Sequence, residues 1–167
     1  MKIGLLSDTH NHLPETRRAL DLLVAHGARH LVHCGDAGED VIDLLSAVCQ
    51  THGIRAHVAM GNCDRMHGED VRFAPQPAGI ARWEMLEFTL SGKRCAVLHG
   101  DDDKQLAQAV TSGKFDYVFT GHTHRSASKQ AGSTRVLNPG SLARSRGGPP
   151  TVAVLDLAID KVAWIPL

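Results

Sequence analysis

Lys2-Ile3-Gly4-Leu5-Leu6-Ser7-Asp8-Thr9-His10 carries an apolar run straight into a polar triplet, and the same event recurs four more times along the chain. The runs at 30–34, 55–60, 94–98 and 117–120 end in Gly35-Asp36, Gly61-Asn62, His99-Gly100 and Gly121-His122-Thr123-His124. Each run is short and apolar enough to read as a buried strand. Polar residues scattered over such distances can meet only if the strands that carry them share a sheet edge. The five clusters together offer two Asp, one Asn and four His.

Between these strands the spacing changes. Residues 14–26 place Ala19, Leu20, Leu23 and Val24 at helical intervals, with Pro14 suited to a first turn and Gly27 to a stop. Residues 39–51 repeat the pattern and Gly53 closes it. A strand over 2–7, a helix, a strand over 30–34, a helix and a strand over 55–60 imply right-handed crossovers and a parallel sheet. Residues 65–79 hold Pro75 and Pro77 and read as a long surface loop. Strands are expected over 80–90 and 94–98, joined by a hairpin at Ser91-Gly92-Lys93, then a short helix over 104–112 with Asp101, Asp102 and Asp103 at its favoured end. The segments 117–120, 134–137, 151–156 and 161–165 supply the remaining strands. A strand-rich second half fits an α/β fold of two stacked mixed β-sheets flanked by helices better than a single doubly wound sheet.

The 167 residues suit one domain spanning 1–167, with no repeat or linker to divide it and enough length for a core without disulfides. Cys34, Cys49, Cys63 and Cys95 have no Cys-x-x-Cys spacing, so reduced cysteines and a cytoplasmic setting are expected. No apolar run approaches the ~20 residues that span a bilayer, and the start lacks the pattern of a signal peptide. A formal net charge of zero removes the electrostatic footprint of a general nucleic-acid binder. Charge is nevertheless uneven: 118–155 contains Arg125, Lys129, Arg135, Arg144 and Arg146 and no acidic residue, which favours an anionic ligand beside the last cluster.

Carboxylate oxygen combined with imidazole suits Mn, Fe, Zn, Ni or Co better than Mg or Ca. Asp8 and His10 are two apart, as are His122 and His124, so each pair can face one way as it leaves a strand. Gly35 and Gly61 each precede a candidate ligand, where a missing Cβ permits a close approach. Singly, each residue has a plainer reading: Asp36 could cap the helix after it and Asn62 could form a turn. Five strand-end clusters in one chain outweigh those readings.

The ordered set Asp8-x-His10, Gly35-Asp36, Gly61-Asn62-Cys63-Asp64, His99-Gly100 and Gly121-His122-Thr123-His124 resembles the calcineurin-like metallophosphoesterases over nearly the whole chain. The small single-domain phosphodiesterase branch is the nearest, with its Asn-Pro-Gly-Ser segment at Asn138-Pro139-Gly140-Ser141 and its Arg-Gly-Gly segment at Arg146-Gly147-Gly148. The resemblance implies a four-layer αββα sandwich and two divalent transition-metal ions, manganese foremost, with nickel, iron, zinc and cobalt as alternatives. Asp8, His10, Asp36 and His124 would hold one ion, and Asp36, Asn62, His99 and His122 the other, with Asp36 bridging. Hydrolysis would follow from attack of a metal-bridging hydroxide on a small phosphodiester, with Asp36, Asn62 and His99 at the catalytic centre and Arg144 and Arg146 on the substrate phosphate.

Many members carry a His immediately after the motif Asn, where this chain has Cys63. A neutral thiol replaces imidazolium poorly, so esters with good leaving groups are the expected substrates, without strong phosphoprotein phosphatase activity. Cys63 itself reads as a small buried filler. Asp101 stands where close relatives often place another His, and reads as a helix cap. His12 and His33 read as structural or surface groups, and Ser141 as a turn residue. Zero net charge and 4% aromatic residues disfavour long nucleic acid as a partner, while a homo-oligomer stays open. A phosphomonoesterase, or a non-catalytic metal-binding scaffold on the same fold, are the alternatives.

Overall fold

The computed structural model describes residues 1–66, 76–143 and 149–167. Strands β1 (Lys2–Leu6), β2 (His30–His33), β3 (Arg55–Ala59) and β4 (Ile80–Trp83) lie side by side in parallel. Helices α1 (Leu13–Ala25) and α2 (Glu39–His52) make the first two crossovers. A second sheet holds β5 (Met85–Leu90), β6 (Lys93–Leu98), β7 (Tyr117–Phe119), β9 (Thr134–Asn138) and β8 (Ala127–Ala131), in that order. The antiparallel pair β10 (Thr151–Asp156) and β11 (Lys161–Pro166) returns to the first sheet beside β1, so both sheets are mixed. Short helices α3 (Asn62–Met66) and α4 (Asp103–Thr111) follow β3 and β6.

Strand alternation builds three apolar layers from this arrangement. In β1, Ile3 and Leu5 face the space between the sheets, and Leu6 faces the helices. β10 divides likewise, with Ala153 and Leu155 between the sheets and Val152 and Val154 beneath α1 and α2. In β6, Cys95 and Val97 point inward while Ala96 and Leu98 meet Ala109 of α4. Strands buried on both faces must be apolar at every position, which is why these runs do not alternate with polar residues. The result is the expected order of helices, sheet, sheet and helix. Among the described residues no helix is long and apolar enough to cross a membrane.

Three elements differ from expectation. Residues 80–90 form two strands rather than one, because the chain bends at Glu84 and changes sheets. β4 pairs with β3, and β5 with β6, so this segment ties the sheets together. β8 appears where no strand was expected: its five residues are mostly exposed and polar, as an edge strand allows. α3 converts the expected Gly61-Asn62 turn into a single helical turn. Of the expected loop over 65–79, residues 67–75 lie outside the described residues.

Candidate metal centre

Strands β1, β2, β3, β6 and β7 all deliver their polar clusters to one end of the sandwich. Backbone bonds lock the clusters together there. The Asp8 N–H donates to Gly35 O at 3.0 Å, His10 N–H to Asp36 O at 2.9 Å, and Gly121 N–H to His99 O at 2.9 Å. The backbone adopts a left-handed conformation at Asp8, His10, Asp36, His122 and His124, with φ between 43° and 61°. Non-glycine residues take that conformation uncommonly, Asp and His more readily than most, and a cluster of them in one place is characteristic of functional sites.

Three groups of side chains converge. Asp8, His10 and His124 form one; Asp8, Asp36 and His99 a second; His10, Asp36 and Cys63 a third, with the ligand-capable atoms of each group within 4.8 Å of one another. His10 Nε2 and His99 Nε2 flank Asp36 Oδ2 at 3.8 and 3.5 Å. The His122 ring stands edge-on to His99 with centroids 5.1 Å apart, exposed and outside the three groups. Cys63, expected to be a buried filler, is half-buried, and its Sγ belongs to the third group.

Asp8 is fully buried, Asp36 is 4% exposed and His99 1%. Buried polar atoms ordinarily find hydrogen-bond partners, and one left without a partner costs about 1–3 kcal/mol. Here both carboxylate oxygens of Asp8, Oδ1 of Asn62, Nε2 of His99 and Nδ1 of His124 lack one among the described residues. Asp8 Oδ1 lies 3.1 Å from His124 Nε2, out of line for a hydrogen bond. His99 Nδ1 contacts Cys34 O at 2.8 Å. A carbonyl only accepts, so Nδ1 carries a proton and Nε2 is the ring nitrogen that faces the centre, beside Asp36. A metal-binding histidine is commonly oriented in this way. The donor set therefore fits divalent ions: hard oxygens and imidazole nitrogens, buried, convergent and otherwise unsatisfied.

Burial raises the Asp8 carboxyl above its ordinary value, against the opposing pull of Ser7, His99 and His124. Burial acts the same way on Asp36, but the His99 imidazole and the Cys63 backbone N–H, 2.9 Å from Oδ1, hold it well below the carboxylate range. Burial and the neighbouring Asp36 push the Cys63 thiol up to about 11, so it is neutral near pH 7. Glycine is required at Gly61, where a Cβ would stand 2.6 Å from the Asp36 nitrogen, and at Gly121, where it would lie 3.0 Å from Asp8 Oδ2.

Groups the sequence placed only loosely brace this centre. His33 is fully buried, and burial lowers it to about 4. Gly35 N–H donates to its Nδ1, so Nε2–H donates to Thr9 Oγ1, which donates to Ala37 O. The structural reading of His33 holds. The expected cap at Asp101 does not: Asp102 caps α4 by accepting the Lys104 and Gln105 N–H groups, while Asp101 pairs with Arg65. Ser141 Oγ donates to Asp8 O at 3.2 Å, tying the Asn-Pro-Gly-Ser turn to the first cluster. Arg144 and Arg146 lie outside the described residues.

Residues 1–160 match the family model described as a calcineurin-like phosphoesterase superfamily domain. The chain is 29% identical over 162 residues to phosphodiesterase MJ0936 of Methanocaldococcus jannaschii, covering 93% of each chain. It is 30% identical over 172 residues to phosphodiesterase YfcE of Escherichia coli, covering 93% of this chain and 88% of that one. A solved archaeal phosphodiesterase superposes over 100% of both chains with a TM-score of 0.81 at 26% identity.

Proposed function

This chain belongs to the calcineurin-like phosphoesterase superfamily and is a phosphoric diester hydrolase, and from that premise we propose that it cleaves small phosphodiesters with two divalent metal ions. Asp8, His10, Asp36 and His124 would hold one ion, and Asp36, Asn62, His99 and His122 the other. The observation that carries this reading is the set of unpartnered atoms on Asp8 and His99 beside the doubly flanked Asp36, with His10 and His124 converging on Asp8. When bound, such ions supply Lewis-acid polarisation of the phosphoryl group and a water of lowered pKa.

The chain's own residues do the rest. Asp36, as a shared ligand, would hold both ions, its negative charge offsetting their repulsion. His99 keeps its proton at Nδ1 on the Cys34 carbonyl, which leaves Nε2 directed at the centre. The neutral Cys63 thiol is a weak proton donor beside Asp36, which favours esters whose alcohol departs without protonation. A cavity of about 400 Å³ opens beside the centre, lined by His10, Asn11, Asp36, Gly38, Glu39, Cys63 and Asp64. It has room for a second ester arm, which a phosphodiester carries and a monoester lacks. That favours a singly charged diester over a phosphomonoester. Arg144 and Arg146 would contact the substrate phosphate through charge-assisted hydrogen bonds.

The test is a matched panel of aryl phosphodiesters and monoesters, assayed with metal-stripped protein reconstituted with Mn, Ni, Fe, Zn, Co or Mg. Diester preference with Mn or Ni, and silence after chelation, are expected. Turnover that survives complete metal removal would overturn the mechanism, and silence with every metal would favour a scaffold.

A further inference from the structure

Asp64 follows the motif Asn by two positions, yet neither of its oxygens is free for an ion. Oδ1 accepts the N–H groups of Ala37 at 3.0 Å and Gly38 at 3.1 Å, and Oδ2 accepts that of Gly61 at 2.8 Å. Ala37 also approaches Oδ2 at 3.3 Å. The carboxylate is 6% exposed, so these are charge-assisted bonds shielded from water. They join two separate turns. One contains Asp36 at φ 55° between Gly35 at φ 100° and Gly38 at φ 88°. The other leads from Gly61 into Asn62.

The carbonyl side of the Asp36 turn is held independently. Asp36 O accepts the His10 N–H and Ala37 O the Asn11 N–H, each at 2.9 Å. Asp64 is the charged group that holds its N–H side. We propose that Asp64 is a positioning residue: its carboxylate clamps the strained Asp36 turn to the Asn62 turn and so sets the distance between the shared ligand and its neighbour. The consequence for ion binding rests on the metal reading above, whereas the clamp itself does not.

Asp64→Ala and Asp64→Asn separate the two. In metal-stripped protein, amide hydrogen exchange at Ala37, Gly38 and Gly61 should accelerate at least about 10-fold in Asp64→Ala, while the β1 and β2 amides stay protected. Ion affinity by titration calorimetry should fall about 10- to 100-fold, as for other groups that orient ligands. In the diester assay kcat should fall more than KM rises. Asp64→Asn keeps one acceptor oxygen and turns an NH₂ group toward the other donors, so both losses should be intermediate. It also carries the test if the alanine variant does not fold. Unchanged exchange at all three amides would overturn the clamp, and faster exchange with unchanged ion affinity would overturn its positioning role. Wild-type protein that takes up no ion would sink the metal reading, and the exchange measurement would still decide the clamp.

Discussion

Acidification should destabilise this fold through a histidine pair remote from the metal centre. His30 Nε2 and His57 Nδ1 are 2.7 Å apart on neighbouring strands, and both rings lie close to Phe88. His30 is only 4% exposed. Burial first, then the charges of His57 and Arg55, lower His30 from 6.5 to about 4, and burial and Arg55 do the same to His57. Well above pH 6.5 both folded and unfolded chains hold neutral imidazoles, and the pair contributes no pH dependence. Between pH 6.5 and 4 the unfolded chain takes up protons that the folded chain refuses, so stability falls as pH falls. At pH 4.5 the loss from His30 alone is about 2–3 kcal/mol, and it levels off below about pH 4. His57 is partly exposed and shares the hydrogen bond, so its own share is smaller. Urea denaturation of metal-stripped protein at pH 7 and 4.5, with His30→Leu alongside, measures the difference. Wild-type protein should lose about 2–3 kcal/mol more than the variant over that interval. Equal losses would show that His30 titrates normally in the folded chain and that its burial does not exclude the proton.

Other outcomes follow from the site. Asp36→Asn keeps an acceptor for the Cys63 N–H but, under the two-ion reading proposed above, weakens the shared ligand, so metal content should drop at both positions and diester turnover should fall at least about 100-fold. Full metal occupancy and rate in that variant, by elemental analysis and the aryl diester assay, would refute the shared-ligand assignment. Gly121→Ala adds a Cβ against Ser7 Oγ, the Cys34 carbonyl and Asp8 Oδ2. It should cost about 1–3 kcal/mol in denaturant and weaken ion binding by moving Asp8, and calorimetric titration of the folded variant checks the second effect.

The alternation of strands and helices over the first sixty residues was legible because it rests on local signals. Ala19, Leu20 and Leu23 repeat at helical spacing, and Pro14 and Gly27 bound the helix. β8 was not legible: Ala127–Ala131 has no apolar face, and its strand conformation depends on pairing with β9. The break at Glu84 was hidden for a related reason. A run of strand-forming residues does not state which neighbour it will pair with, and residues 80–90 pair with two different sheets. Cys63 and Asp101 were misread because exposure and ion-pair partners are properties of the packed site rather than of the residues beside them.

By itself the sequence determined the types, order and strand-end placement of the polar residues at the centre, since apolar runs and the clusters that end them are written contiguously along the chain. Tertiary structure alone decided the strand order within each sheet, that residues 80–90 divide between the two sheets, and that Asp64 reaches Ala37 across 27 positions of sequence. Hydrogen-bond satisfaction, burial and charge proximity are set by which surfaces pack together, and packing joins residues that the linear order keeps apart.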